Sequence, residues 1–428
     1  MSSTFASFSV ANYRYYFIGG FISNIGSWLG RTAISWLVLV ELTKGSASSL
    51  GLVTAVLFLP SMILAPNAGA LADRYEKRVI LRTTASIFFL NSLALALLTI
   101  SGHITLPMVY LCSAIDGLAN AFDAPARQSF TSELVESRLL PNAIALNSTS
   151  FNAARLIGPG LAGVAIALVG TGWAILIDTM SYLAMIIVLS ILDRSAIHLA
   201  SIRKGRGQIL EGLRYTWHRL DLVILLCCGL AVGGFGFNFT ISNAVMATEF
   251  YGRGPGEYGF LGSLMGLGAV VAALLASRRK RPRLRYALIG MAGYVLFNLA
   301  AAFSPTFWLF AVLQIPVGLA SITALVTANT MLQTSTAPHM RGRVMSLWGL
   351  ATLGWTPLVS PVVGYLGDVA GPRSTLLFGV ICVGIALITM VTAVMRVDRL
   401  SIHLDFTRKG WLWLERGEVS ENPDSSPR

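Results

Sequence analysis

Charge is the first thing this sequence lacks. Asp, Glu, Lys and Arg make up 12% of its 428 residues, about half the share of an ordinary soluble domain, whereas 54% of the residues are apolar. So few polar groups cannot cover a surface in water, so the solvent for much of this chain is lipid. Histidine is scarce: five residues, all in expected loops or the tail, which leaves no hydrolase triad. The four cysteines (Cys112, Cys227, Cys228, Cys382) lie inside apolar runs with no ligand spacing to His or Cys. A disulfide framework and a zinc site are excluded on that pattern, and no metal or cofactor is expected. No Gly-rich phosphate loop ending in Lys-Ser/Thr occurs, and no segment outside the apolar runs is large enough for a nucleotide-binding domain, which argues against ATP-driven chemistry and against an enzyme. No cleaved leader is expected either. Met1 to Asn12 is mild and polar, and the apolar run from Tyr15 is long enough to be a retained first helix.

What the chain does have is a succession of apolar runs of membrane-spanning length. A backbone in lipid satisfies its own hydrogen bonds only as a helix or a closed barrel. Helices are predicted at 14–40, 48–72, 79–101, 105–127, 143–169, 173–192, 222–248, 256–277, 286–303, 307–333, 344–367 and 374–395. The fold expected is therefore an all-α membrane protein of 12 transmembrane helices in two six-helix bundles. The net charge of +12 sorts to one side. With the N-terminus placed inside, the inner connections hold Arg74, Lys77, Arg78, Arg82, Arg138, Arg194, Arg203, Lys204, Arg206, Arg214, Arg219, the run Arg278 to Arg285, Arg341 and Arg343, while the outer ones hold only Lys44, Arg253 and Arg373. That asymmetry sets the orientation: both termini cytoplasmic in a bacterial inner membrane. The basic excess faces anionic lipid, not nucleic acid.

The organisation expected is 1–192, an N-terminal bundle; 193–221, a cytoplasmic linker; 222–396, a C-terminal bundle; and 397–428, a cytoplasmic tail. In the linker, Ile209, Leu213, Trp217 and Leu220 share one helical face beside Arg214, His218 and Arg219, the pattern of a helix lying on a membrane surface. Trp411 and Trp413 in the tail suit an interface, and Ser420 to Arg428 reads as disordered. A shift of about 201 residues sets Leu146 on Leu347, Gly160 on Pro361 and Gly163 on Gly364, a weak internal echo of the kind found in two-bundle transporters.

A charge near mid-membrane costs about 3 kcal/mol on insertion scales, so it faces a partner or water. Arg31, Asp116, Arg155 and Asp178 are such residues, all in the first half. Helical spacing stacks Asn24, Trp28, Arg31 and Ser35 on one face, Ser113, Asp116, Asn120, Asp123 and Arg127 on another, and Ser148, Phe151 or Asn152 and Arg155 on a third. Three polar stripes point to a translocation pathway with Asp116 as the protonatable group and Arg31 or Arg155 as its charge partner. A permanent ion pair locking the bundle is the alternative, and Asp178 is as well explained by structure as by transport. The second half offers neutral and aromatic positions instead: Asn238 and Ser242 with Phe235 and Phe239, then Gln314, Ser321 and Asn329, then Trp348, Thr352 and Trp355. These suit either an amphipathic substrate or helix packing.

Two motifs carry a resemblance. The connection Gly69-Ala-Leu-Ala-Asp73-Arg74-Tyr-Glu76-Lys77-Arg78 resembles the turn between helices 2 and 3 of the major facilitator superfamily, with Glu76 where that family usually has glycine. The matching turn of the second half keeps the basic run but lacks the acid. Arg155-Leu-Ile-Gly158-Pro159-Gly160-Leu-Ala-Gly163 resembles the Gly-Pro motif of the superfamily's antiporters, with Ala154 at one usual glycine. The stretch Phe8 to Phe17, with Ile25-Gly-Ser-Trp28, looks like the enterobactin-exporter-like subgroup, which also holds macrolide efflux pumps. The resemblance implies a cytoplasmic gate in which Asp73 faces the helix end near Val344, and Arg74 or Arg78 pairs with Asp123. It implies a monomeric, proton-coupled secondary transporter exporting amphipathic small molecules of drug, macrolide or siderophore type. An importer or lysophospholipid flippase of the same fold, or a non-transporting membrane sensor, are the rivals.

Overall fold

The computed structural model describes residues 3–72, 75–196, 208–279, 282–337, 340–398, 400–404 and 412–416. Each long apolar run folds as helix, because only helix lets such a run pair its own amides in lipid. The first half comprises α1 (Ala11–Trp36), α2 (Ala47–Ala72), α3 (Lys77–Ile100), α4 (Leu106–Leu134), α5 (Leu140–Val169) and α6 (Thr171–Ile191). The linker contributes α7 (Gln208–Trp217). The second half comprises α8 (Leu220–Gly229), α9 (Phe239–Val245), α10 (Pro255–Ser277), α11 (Leu284–Ala302), α12 (Phe307–Ser335), α13 (Arg341–Leu353), α14 (Thr356–Ala370) and α15 (Pro372–Asp398). Outside the helical body, Leu400–Leu404 and Leu412–Arg416 pair as a short antiparallel hairpin, a departure from the all-helical expectation. Trp413 lies in its second strand; Trp411 and Ser420 to Arg428 lie outside the described residues.

Nine helical stretches among the described residues are long and apolar enough to cross a membrane, counting Leu220–Phe250 as one. The expectation of twelve is not met by that measure, for physical reasons. Polar side chains such as Arg31 in α1, and Asp116, Asp123 and Arg127 in α4, lower the mean hydropathy of those helices, and the expected span 344–367 is two pieces rather than one. Wide π-type turns at Leu230–Phe235 and Met246–Phe250, with a break at 236–238, likewise interrupt the expected helix 222–248. The causes are local. Gly233, Gly234 and Gly236 weaken helix in the first case; in the second, the chain stops at Gly354 and restarts with Pro357 in the first turn of α14, where proline is tolerated. The two breaks face each other, with the Phe235 and Trp355 ring centroids 6.0 Å apart and the Ser360 hydroxyl donating to Asn238 Oδ1 at 3.1 Å.

Within the first half α1 lies on α5 and α6, α2 on α4, and α3 on α4 and α6; within the second, α12 lies between α10 and α11, and α15 lies on α11 and α14. Two long helix pairs, α5 with α10 and α2 with α14, form the main seams between the halves, and α9 also touches α1 and α2. Both seams need glycine. A Cβ on Gly163 would sit 2.6 Å from the Pro255 carbonyl oxygen, and one on Gly364 would sit 2.4 Å from that of Ala47. The internal echo thus falls on equivalent close approaches. One core of Leu29, Trp36, Leu50, Ile166, Val245, Tyr258, Phe310 and Val363 runs through both halves at the end of the bundle bearing the sparsely charged loops. At the opposite, basic end each half has a core of its own, around Tyr13, Phe130 and Leu189 in the first and Leu222, Leu332 and Val344 in the second. The molecule is sealed at the sparse end. Its flanks expose Leu90 (63%), Leu168 (77%) and Ile388 (66%), an apolar coat that only lipid accommodates.

Candidate functional site

The three polar stripes meet unequally. Trp28 of α1 is the hub. Arg31 Cζ lies 5.6 Å from its ring centroid, Arg155 Cζ lies 5.7 Å away, and the Phe151 ring stands edge-on at 5.8 Å. Contact this close follows from Gly158, where a Cβ would sit 2.5 Å from Trp28 Cβ. Asn24, one turn earlier, donates to the Ser150 hydroxyl at 3.3 Å. Arg155 is buried, and its guanidinium also covers Phe237 at 4.7 Å, a residue of the second half's helix break. Trp28, Arg31, Phe151 and Arg155 therefore form one constellation at the junction of the halves.

Asp116 stands beside it, half-buried on α4. Its Oδ1 accepts from Asn91 Nδ2 at 2.8 Å, and the same amide donates to the Cys112 carbonyl at 2.9 Å. Arg31 lies within Coulombic reach of Asp116, without an ion pair. Of the two partners expected for Asp116, Arg155 is turned away to Trp28 and Phe237. Asn120 follows one turn on, half-buried. Asp178 proves more than peripheral. It is buried against α1, where a Cβ on Gly30 would sit 2.1 Å from its Oδ2, and it accepts from Ser181 at 3.3 Å. Ser92 to Thr179 (2.9 Å) and Ser27 to Tyr182 (3.3 Å) complete a polar layer through α1, α3, α4 and α6.

Of the expected gate residues, Arg78 falls elsewhere. Asp123 is buried and accepts from Arg127 at 2.8 and 3.2 Å and from Thr84 at 2.9 Å. Arg78 does not reach it. Instead Arg78 donates to the carbonyls of Leu189 (2.6 Å) and Ser190 (2.7 Å), capping the end of α6 where carbonyls lack helical partners. Asp73 and Arg74 lie outside the described residues; Gly69 lies within α2. A buried pair of Lys77 and Glu133 at 2.7 Å was not anticipated. In the α5 motif Gly160 faces Ser263, and Pro159 and Gly163 face α10, so the motif forms the seam between the halves.

The expected second-half cavity residues divide. Trp355 is 40% exposed at the break. Asn238 is buried, donating to the Phe235 carbonyl at 3.0 Å and bridging to Ser360; it ties a broken helix to α14. Gln314 is fully buried with its Nε2 on the Phe310 carbonyl at 3.4 Å, and Trp348 packs on Gly229. These three belong to the packing of the second half. Asn91 and Phe237 are the residues that sequence reasoning missed. The first was signalled by a lone amide inside an apolar run, the second by its place in a glycine-rich stretch.

Buried charges around a seam between two helical halves, inside an apolar coat, define a membrane transporter of major facilitator type. The chain matches the transmembrane secretion effector family over residues 2–406 and belongs to it. It is 25% identical to the staphyloferrin A transporter of Staphylococcus aureus, over 88% of this chain and 94% of that one. It is 26% identical to the multidrug efflux pump Tap of Mycolicibacterium fortuitum, over 82% and 88%. It is 25% identical to the enterobactin exporter EntS of Shigella flexneri, over 90% and 92%. In fold it resembles a bacterial homologue of the human lysosomal transporter Spinster in an inward-facing conformation, with TM-score 0.73, 14% identity, and coverage of 89% of this chain and 97% of that one. The chain is thus a multi-pass transporter of small molecules.

Proposed function

We propose that the protein exports amphipathic small molecules across the bacterial inner membrane in exchange for protons, with Asp116 as the proton carrier and Arg31 as its electrostatic partner. Twelve segments cross the membrane in this reading: the nine apolar stretches together with α1, α4 and the broken pair α13 and α14. The basic end faces the cytoplasm, both termini lie there, and α7 rests on anionic lipid. With the sparse end sealed, the conformation is inward-facing. The chain works as a monomer, since cargo and proton sites both lie within one pair of bundles.

The observation that carries the reading is Asp116 itself, an acid at mid-depth, half-buried beside the junction of the halves and held by a neutral amide rather than locked in an ion pair. A carboxyl in that setting can gain and lose a proton as the bundles rock. The names of the related siderophore exporter and efflux pump support export over import. The decisive test is transport in everted vesicles. An acid-inside gradient is expected to drive substrate accumulation in the wild type and not in Asp116→Asn. Accumulation driven by the opposite gradient identifies an importer, and full activity of Asp116→Asn removes the proposed carrier.

A further inference from the structure

Arg155 is 8% exposed, and among the described residues no hydrogen bond or ion pair holds its guanidinium. The five ion pairs among the described residues use Lys77, Arg127, Arg138, Arg219 and Arg343. The nearby acids are engaged elsewhere: Asp116 with Asn91 and within reach of Arg31, Asp178 with Ser181 in the α1 glycine notch. A guanidinium stays charged at any physiological pH. A buried, unbalanced cation at membrane depth therefore calls for an anion the protein does not itself provide.

The rings define how that anion arrives. Trp28 from the first half and Phe237 from the second lie against the Arg155 guanidinium, and rings take a planar cation best on its faces. The donors of a guanidinium point outward in its plane, where a carboxylate accepts two of them side by side. The exposed Phe151 ring, packed on Trp28 at 5.8 Å, supplies apolar surface at the same constellation. Arg31, also against Trp28 and exposed, adds a second positive charge, so the site disfavours cations.

We infer that Arg155 is the recognition residue for the anionic group of the transported molecule, and that the cargo class is amphipathic anions joining a carboxylate or like oxyanion to a flat apolar body. This deepens the export reading and rests on it for the direction of movement. The cargo's anion would thereby be held by a side chain that touches both halves, because Trp28 and Phe237 belong to different bundles.

The test is equilibrium binding to the full-length protein in lipid nanodiscs, at fixed pH and low salt, with 2-naphthoate, 2-naphthamide and 2-naphthylmethylammonium as matched probes. The naphthoate is expected to bind at least about tenfold tighter than the amide, with the ammonium weakest. Arg155→Gln is expected to erase that preference. Arg155→Lys keeps a reduced one, since an ammonium offers a point charge without the planar fork. Equal binding of carboxylate and amide, preference for the ammonium, no measurable binding of the naphthoate, or an undiminished preference in Arg155→Gln each overturns the proposal. The wild-type comparison decides the class by itself, so the outcome does not hang on the folding of a variant. The assay contains no gradient, so its failure is distinct from a failure of coupled export, which vesicles report.

Discussion

The two halves share one plan of helices and divide the chemistry between them. In the first, α1, α4 and α5 run unbroken through the middle and carry Arg31, Asp116 and Arg155, with Asp178 on α6. In the second, no charge stands at mid-depth, and two of its expected spans break instead, at 236–238 and at Gly354, while α10 at the seam stays whole. Unbroken helices hold buried charges in fixed register, which a costly group at hydrocarbon depth requires. Broken ones trade backbone pairing for compliance, and the breaks carry the aromatic groups Phe235, Phe237 and Trp355. The difference is that one bundle carries the mid-depth charges and the other carries the helix breaks with their aromatic rings.

The largest expected effect comes from removing the proposed proton carrier of the charged half. Asp116→Asn should reduce proton-driven accumulation in everted vesicles to the level measured without a gradient. A comparable loss from Gln314→Leu, a neutral position of the second half, would instead spread the coupling over both bundles.

Next in size are the seams. Gly163→Val and Gly364→Val place carbon against backbone oxygen, and overpacking of this kind costs about 1–3 kcal/mol. Both should lower the thermal midpoint and loosen the sealed end, in similar measure if the halves are equivalent there. Unequal losses, read by the thermal stability of the purified protein, would show that one seam dominates.

Acids at the two ends form a finer contrast. Asp123→Ala in the first half removes charged hydrogen bonds within one bundle, each worth about 1.5–3 kcal/mol. Asp368→Ala in the second removes a cap across the interface, where the Asp368 carboxylate accepts from the amides of Ala47 (2.7 Å) and Ser48 (3.0 Å). Loss of a helix cap costs about 0.5–2 kcal/mol. The first change should lower stability with little effect on gating. The second should raise the population open at the sparse end, measured as the distance between spin labels at Lys44 and Val369. An unchanged distance would show that the glycine seams alone hold that end.

The smallest effect expected is that of Cys227→Ser, at an exposed position of the second half. A surface change of this kind stays within about 0.5 kcal/mol, so transport should be unaltered.

Some of this was legible from the chain alone. Hydropathy marked where helices run, and the polar stripes found Trp28, Arg31, Phe151 and Arg155, because residues four and three apart share a face whatever surrounds them. The α5 glycines were recognisable as a close approach. Other features were not. The family resemblance offered Arg74 or Arg78 as a partner for Asp123, yet helix packing sends Arg78 to the end of α6, and Asp123 accepts from Arg127 and Thr84. The breaks at 236–238 and Gly354 were hidden because apolar residues on both sides keep the hydropathy high, which no sliding average registers.

The sequence by itself determined what is local: which stretches prefer lipid, which end is basic, and which faces are polar, since each follows from side-chain transfer energies and helical period. Only the tertiary structure decided who meets whom. The contact of Arg155 with Phe237, the grip of Asn91 on Asp116, and the cap that Asp368 places on α2 join residues far apart in the chain. Such pairings depend on the packing offset of whole helices, a property of every contact along them and of no single residue.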